Sequence, residues 1–328
     1  MRLLQVCVFT SLLVCPAAAD TLIVCNKTES TLSFVDLVTG KEIVRRETSR
    51  SPHEIALSPD GRKAVVVSYI EKNYVGEELD VFDTETATLI KKISISPHMA
   101  PHGIEWIGDS SDVLVTTEKS HDVIKVDVKT GRVIGSVETG TGGPHLMALA
   151  PDNQRAYVTD RDSNSVFVID VSSMSLSHTL KADKAPEGIA VSPDGSFLWV
   201  GNNESKTIVV FDISTMSRVA VIDAGYVPIR IRFLPNGTGV AVADLDGGRV
   251  IVYDPLNRQQ ISAVDLSTAG ASSPASLLFS PDGKQLYVGA QKSGQVVEIE
   301  TNTWKINRTL SVGKGADSMA ITSVNTSP

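Results

Sequence analysis

The sequence predicts an all-β fold, a seven-bladed propeller of four-stranded blades closed by strands from both ends of the chain. Three observations carry this. First, the segment Pro52-His53-Glu54-Ile55-Ala56-Leu57-Ser58-Pro59-Asp60-Gly61 returns as Pro186-Glu187-Gly188-Ile189-Ala190-Val191-Ser192-Pro193-Asp194-Gly195, and in part as Pro274-Ala275-Ser276-Leu277-Leu278-Phe279-Ser280-Pro281-Asp282-Gly283. Weaker copies begin at Pro101, Pro144, Pro228 and Ala316, so the second residues fall at 53, 102, 145, 187, 229, 275 and 317, with successive differences of 49, 43, 42, 42, 46 and 42. A period of that length is one propeller blade. Second, each unit reads as four short β-branched runs parted by Asp, Gly, Asn and Ser turn residues, with no helical periodicity. Third, the ends are complementary: Thr21 to Thr48 holds the last three strands of a unit, and Asp317 to Thr322 only a first.

Taken in order, the chain opens with Arg2, an apolar run from Leu3 to Val14 and Pro16-Ala17-Ala18-Ala19-Asp20, the layout of a secretory signal peptide with an A-x-A cleavage site. Residues 1–19 are therefore expected to be removed, leaving one propeller domain over 20–328, secreted or periplasmic. Val14 is too bulky to suit lipoprotein cleavage at Cys15. Loss of the signal takes Cys7 and Cys15 and leaves Cys25, so no intrachain disulfide is expected. The first unit carries extra residues between Ser68 and Leu79, which accounts for its spacing of 49. An insertion of this kind maps to a loop on one face, often the binding face. Later units keep the pattern, as in Ala156-Tyr157-Val158-Thr159 for a second strand and Val166-Phe167-Val168-Ile169-Asp170 for a third. Sharing one blade between the termini closes the ring and removes free sheet edges.

Tyr157-Val158-Thr159-Asp160 and Tyr287-Val288-Gly289, set in repeats with Ser-Pro-Asp-Gly turns, give the chain its resemblance to the YVTN-family β-propeller proteins. The resemblance covers essentially the whole mature chain. It implies the propeller fold and export, and some members accompany periplasmic redox or metal systems. Function does not follow, because propellers serve as binding proteins, scaffolds and enzymes alike.

Composition narrows the classes. With 42% hydrophobic and 21% charged residues the chain can bury a large core. A net charge of -8 and few clustered cations argue against nucleic acid as a partner. No stretch after the signal approaches the length of a membrane span. A monomer that meets a small ligand, a metal or a partner protein on its loop-bearing face is expected.

In a propeller the innermost strand of each blade lines the central channel, so residues at equivalent positions at its start form a ring at one mouth. That column reads Asp317, His53, His102, His145, Glu187, Ile229 and Ala275. Five consecutive blades thus present imidazole or carboxylate, the ligand types of Zn, Cu, Ni or Mn, and His98 lies close by. The competing reading is repeat ancestry, each imidazole bonding a neighbouring backbone. A second column, where the second strand meets its turn, reads Asn26, Tyr69, Thr117, Asp160, Asn202, Asp244 and Ala290, with Glu118, Arg161 and Asp246 nearby. Tyr69, Asp160, Arg161, Asn202 and Asp244 are the candidate ligand contacts there, and Asn and Asp are also ordinary turn formers. Cys25 fills the small-residue slot of Thr159 and Gly201, which suits inert packing. No motif for haem attachment, serine hydrolysis or phosphate cradling occurs. Sequons stand at Asn26, Asn203, Asn236, Asn307 and Asn325. The expectation is an exported binding protein with its site at the channel mouth. A metal-assisted, lactonase-like hydrolase or lyase with Glu187 as base, and a structural surface scaffold, are the alternatives.

Overall fold

The computed structural model describes residues 20–140 and 142–328, so the expected signal peptide lies outside the described residues. Seven antiparallel four-stranded sheets are arranged around a channel, in chain order 52–94, 101–138, 144–181, 186–223, 228–265, 274–311, and a last sheet made from both ends. In that seventh blade the inner strand Ala316–Thr322 pairs with Thr21–Asn26, followed outward by Thr31–Asp36 and Glu42–Glu47. Each inner strand packs on the inner strands of its two neighbours. Fold class and closure are as the repeat predicts.

Two details qualify the expectation. The insertion in blade 1 is a small hairpin, Ile70–Glu71 paired with Tyr74–Val75. A single 3-10 turn, Leu266–Ala269, joins blades 5 and 6, capped by the Asp265 side chain at Ser267 N and ended by Gly270 at φ 68°. It accounts for the longer spacing of 46 between those blades.

The repeat consensus is turn chemistry. In Ser58-Pro59-Asp60-Gly61 the Ser58 hydroxyl donates to Asp60 Oδ1 at 2.6 Å and accepts from Lys63 N at 2.9 Å. Arg62 N donates to the same carboxylate at 3.0 Å. The copies at Ser192 and Ser280 repeat these bonds. Gly61, Gly195 and Gly283 all stand at φ near +70° (68, 73 and 70°), where a side chain is strained. These bonds between the first and second strands fix where each inner strand ends.

Burial follows position in the blade. Second and third strands lie between two neighbouring blades and read as continuous apolar runs, such as Val65, Val67, Leu79 and Val81, which pack on Ile104, Val113 and Val115 of the next blade. Outer strands are only half covered and alternate. The slot holding Cys25, Thr159 and Gly201 lies where adjacent inner strands approach: a Cβ on Gly201 would stand 2.3 Å from Pro228 O. Cys25 is buried in the apolar core, and burial pushes its thiol pKa well up, consistent with a packing role.

Candidate functional site

The heads of the inner strands converge at one mouth of the channel, and the first five residues of the predicted column are all buried there. They divide into two linked groups. In one, Asp317 Oδ2 lies 2.7 Å from His53 Nδ1, and His53 Nε2 lies 2.7 Å from His102 Nε2. His102 Nδ1 is buried without a partner. In the other, His145 Nδ1 meets Glu118 Oε2 at 3.0 Å and His145 Nε2 meets Glu187 Oε1 at 3.2 Å. The two groups touch through the rings of His102 and His145, whose centroids are 3.6 Å apart.

Charge follows these partners. Burial, reinforced by the nearby His145 and His53, drives His102 well below the usual imidazole range, so it is neutral. His145 is raised despite burial, because Glu187 and Glu118 flank it. Glu187 and Glu118 resist their own burial and fall to about 2, chiefly through His145. The mouth therefore stacks a neutral imidazole on a second imidazole whose proton affinity is raised by two flanking carboxylates. Asp317 is likewise lowered by His53 against the effect of burial.

Tyr69 and Arg161 join this layer. Tyr69 stacks on His53 at 5.0 Å, meets His102 edge-on at 4.6 Å and donates to Glu118 Oε2 at 2.5 Å. Arg161 Nη1 lies 3.5 Å from Glu187 Oε2. Asp160, Asn202 and Asp244 do not join it. Asp160 Oδ1 accepts from Ser163 N and Oγ, Asn202 Nδ2 reaches Thr207, and Asp244 accepts from Gly247 N and Arg249. All three bind the turn of their own blade. Strand alternation explains the split: the last residue of each second strand turns into the hairpin, and the next one turns to the mouth.

In blade 1 it is Ser68 that pairs with Pro52, where blade 3 pairs Asp160 with Pro144. Tyr69 is thus the equivalent of Glu118 and Arg161, and it belongs to a second ring with Lys27, Asn203 and Gln291. Asn203 Nδ2 donates to Glu187 Oε2 at 2.7 Å, Gln291 Nε2 to Asp317 Oδ2 at 3.1 Å, and Lys27 Nζ lies 3.8 Å from Asp317. Keeping Tyr69 and shifting the other six positions of the second column by one residue finds this ring in the sequence. His98 is bonded to Asp122 at 2.7 Å and takes no part in the imidazole layer.

Behind the imidazole layer the channel holds a cavity of about 470 Å³, walled by the following residues of the inner strands. Arg230 is buried there and pairs with Glu54, while its Nε donates to Ala275 O at 2.8 Å. Glu105, Trp106 and Arg232 line the same space. The column reading passes over these residues, although two arginines in the otherwise apolar strand Pro228–Phe233 are a visible signal.

As chemistry, the mouth offers His53 Nε2 and His102 Nε2 as converging donors. A carboxylate oxygen of Glu54 comes within 4.8 Å of ligand atoms of both, though Glu54 also pairs with Arg230. His145 has both nitrogens engaged by carboxylates, and Glu187, held to about 2, is a weak proton acceptor.

Solved structures show the same architecture. Hydrazine synthase of Kuenenia stuttgartiensis is 18% identical with a TM-score of 0.74, over 86% of this chain and 92% of that one. A functionally unknown protein from Desulfotomaculum acetoxidans is 15% identical with a TM-score of 0.77, over 92% and 98%. The periplasmic gluconolactonase PpgL of Pseudomonas aeruginosa is 17% identical with a TM-score of 0.75, over 93% and 99%. At such identities the likeness is one of fold. No curated protein matches the chain. A family model described as a YNCE-like beta-propeller matches residues 4–325.

Proposed function

Because this chain belongs to the YNCE-like β-propeller family, whose common fold leaves function to the site, we propose a function read from the channel mouth. The protein is an exported, periplasmic or extracellular binding protein that holds a divalent ion, Zn, Cu, Ni or Mn, between His53 and His102. The observation that carries this reading is the meeting of the two Nε2 atoms, 2.7 Å apart in a buried layer. His102 is kept in the neutral form that a metal requires. The Asp317 carboxylate behind His53 Nδ1 fixes that ring so that Nε2 faces its partner, the usual arrangement behind a ligating imidazole. Tyr69 covers both rings. Export rests on the signal-like residues 1–19.

The hydrolase reading is weaker, since Glu187, its base, is engaged by His145, Arg161 and Asn203. Titration calorimetry on protein stripped with a chelator tests the binding reading. At least one of the four ions should bind at micromolar Kd or tighter, and His53→Ala with His102→Ala should weaken it at least 100-fold. Binding no tighter than millimolar by any of them, or binding indifferent to the double variant, overturns it.

A further inference from the structure

The cavity behind the imidazole layer has features that neither the mouth nor the ring's stability requires. Its volume of about 470 Å³ lies within the range of small-ligand pockets, roughly 300–1,000 Å³. Most of the residues that line it are apolar, Ile55, Met147, Leu277 and Met319 among them, while polar atoms also face the space. Into this wall are set Glu105 from blade 2 and Arg232 from blade 5, three blades apart in a ring of seven and so on opposite sides of the channel.

Neither makes an ion pair among the described residues, in contrast to Glu54 and Arg230 just beside them. The one hydrogen bond of the Arg232 guanidinium is a long one, 3.4 Å, to Ile231 O. Arg230 is 5% exposed and its Nη1 has no partner. Burial pushes the Glu105 carboxyl up to about 7, with Arg232 pulling it down and Glu54 adding to the rise. Glu105 and Arg232 are half-buried in the channel, where charges left unmatched are costly. A charged group of each sign, held apart and unpaired, is complementary to a molecule that carries both.

We propose that the channel cavity binds a small zwitterion with an apolar body, an apolar α-amino acid in chemical class, its carboxylate on Arg232 and its ammonium on Glu105. Such a ligand is neutral overall, as the four charged wall residues together are. Its apolar side chain lies against the Ile, Leu and Met residues, and Trp106 is among the residues that line the cavity. The imidazole layer is not part of this site, because none of its three rings lines the cavity.

Calorimetry on the purified protein tests the proposal with leucine and phenylalanine as probes, beside leucinamide, which lacks the carboxylate, and 4-methylpentanoate, which lacks the ammonium. The amino acids should bind saturably and each truncated analogue at least tenfold more weakly. In Arg232→Gln, leucine should lose its advantage over leucinamide, and in Glu105→Gln its advantage over 4-methylpentanoate. No saturable binding of either amino acid, or binding that both variants leave unchanged, overturns the proposal. Should a variant fail to fold, the analogue series on the parent protein decides by itself. Repeating the titration in the His53→Ala, His102→Ala protein keeps the two sites separable, since leucine binding should persist where metal binding is lost.

Discussion

His145 is the residue on which the charge of the mouth depends. Its two nitrogens neutralise Glu118 and Glu187, and Glu187 is nearly buried. The raised His145 contributes stability that is whole below its unfolded value of 6.5 and is lost as pH rises through the higher folded one. The lowered carboxylates contribute stability that is whole above 4.5 and is lost as pH falls toward about 2. All three contributions coincide in a slightly acidic window. His145→Gln, which removes the cationic partner that Glu118 and Glu187 share and leaves Glu187 only Arg161 and Asn203, should therefore destabilise the protein by roughly 3 kcal/mol. In thermal melts the deficit should be largest between about pH 5 and pH 6.5 and shrink near pH 3, where the variant's carboxyls take up protons. A deficit independent of pH would mean that His145 acts through packing alone. The imidazole column was legible in the sequence because each histidine opens an inner strand. Which nitrogens face each other was not, since that depends on side-chain rotation across blades.

At the scale of the element, the blade is specified by its turns and by the slot between inner strands. Five of the seven third strands end in Asp and a sixth is followed directly by Asp254, each of these six accepting from the backbone N–H three residues on, as Asp83 does from Thr86 and Asp170 from Ser173. This recurring chemistry made the repeat readable before any contact was known. The second column was misplaced by one residue for an equally local reason. Inner strands bear register shifts near their heads, between Pro52 and Ile55 in blade 1 and between Pro144 and Met147 in blade 3. A spacing count cannot place the pleat across such a bulge. The slot yields a direct prediction. Gly201→Ala places a methyl 2.3 Å from Pro228 O and 3.1 Å from two carbons of the Pro228 ring, a rigid neighbour with little room to yield. A loss of about 2–3 kcal/mol is expected by urea denaturation, against less than about 0.5 kcal/mol for an exposed substitution such as Ser293→Ala. Equal midpoints for the two variants would contradict the close approach.

Over the whole molecule, the ring is held shut by its last residues. Ala316–Thr322 is the inner strand of a blade whose other three strands come from the beginning of the described chain. Beyond it, Thr326 Oγ1 donates to Thr84 O at 2.8 Å and Ser327 N to Glu85 O at 2.7 Å, reaching the outer turn of blade 1. Deleting residues 315–328 exposes the edge of Thr21–Asn26, opens the core around Ile23 and Ala320, and removes Asp317 from His53. The truncated protein should melt at least 10 °C lower than the full chain, and an unchanged melting temperature would refute the shared blade. The seven units and their closure were legible because the fold repeats. The cavity charges were half legible: the two arginines stand out in the strand Pro228–Phe233, but that Glu105 and Arg232, at the same repeat position, face one cavity depends on the closed ring.

The closing strand also sets an order of events in the cell. During synthesis the strand that begins at Thr21 is made long before its partner, which begins at Ala316. Blades 1 to 6 can assemble beforehand, but Thr21–Asn26 keeps an unpaired β edge until Ala316–Thr322 is available. Contacts of such long sequence separation form slowly, and an open edge invites pairing with other chains. The interval between translation of blade 1 and the arrival of that strand is thus when this protein is most exposed to misassembly, and when a holding chaperone would matter most.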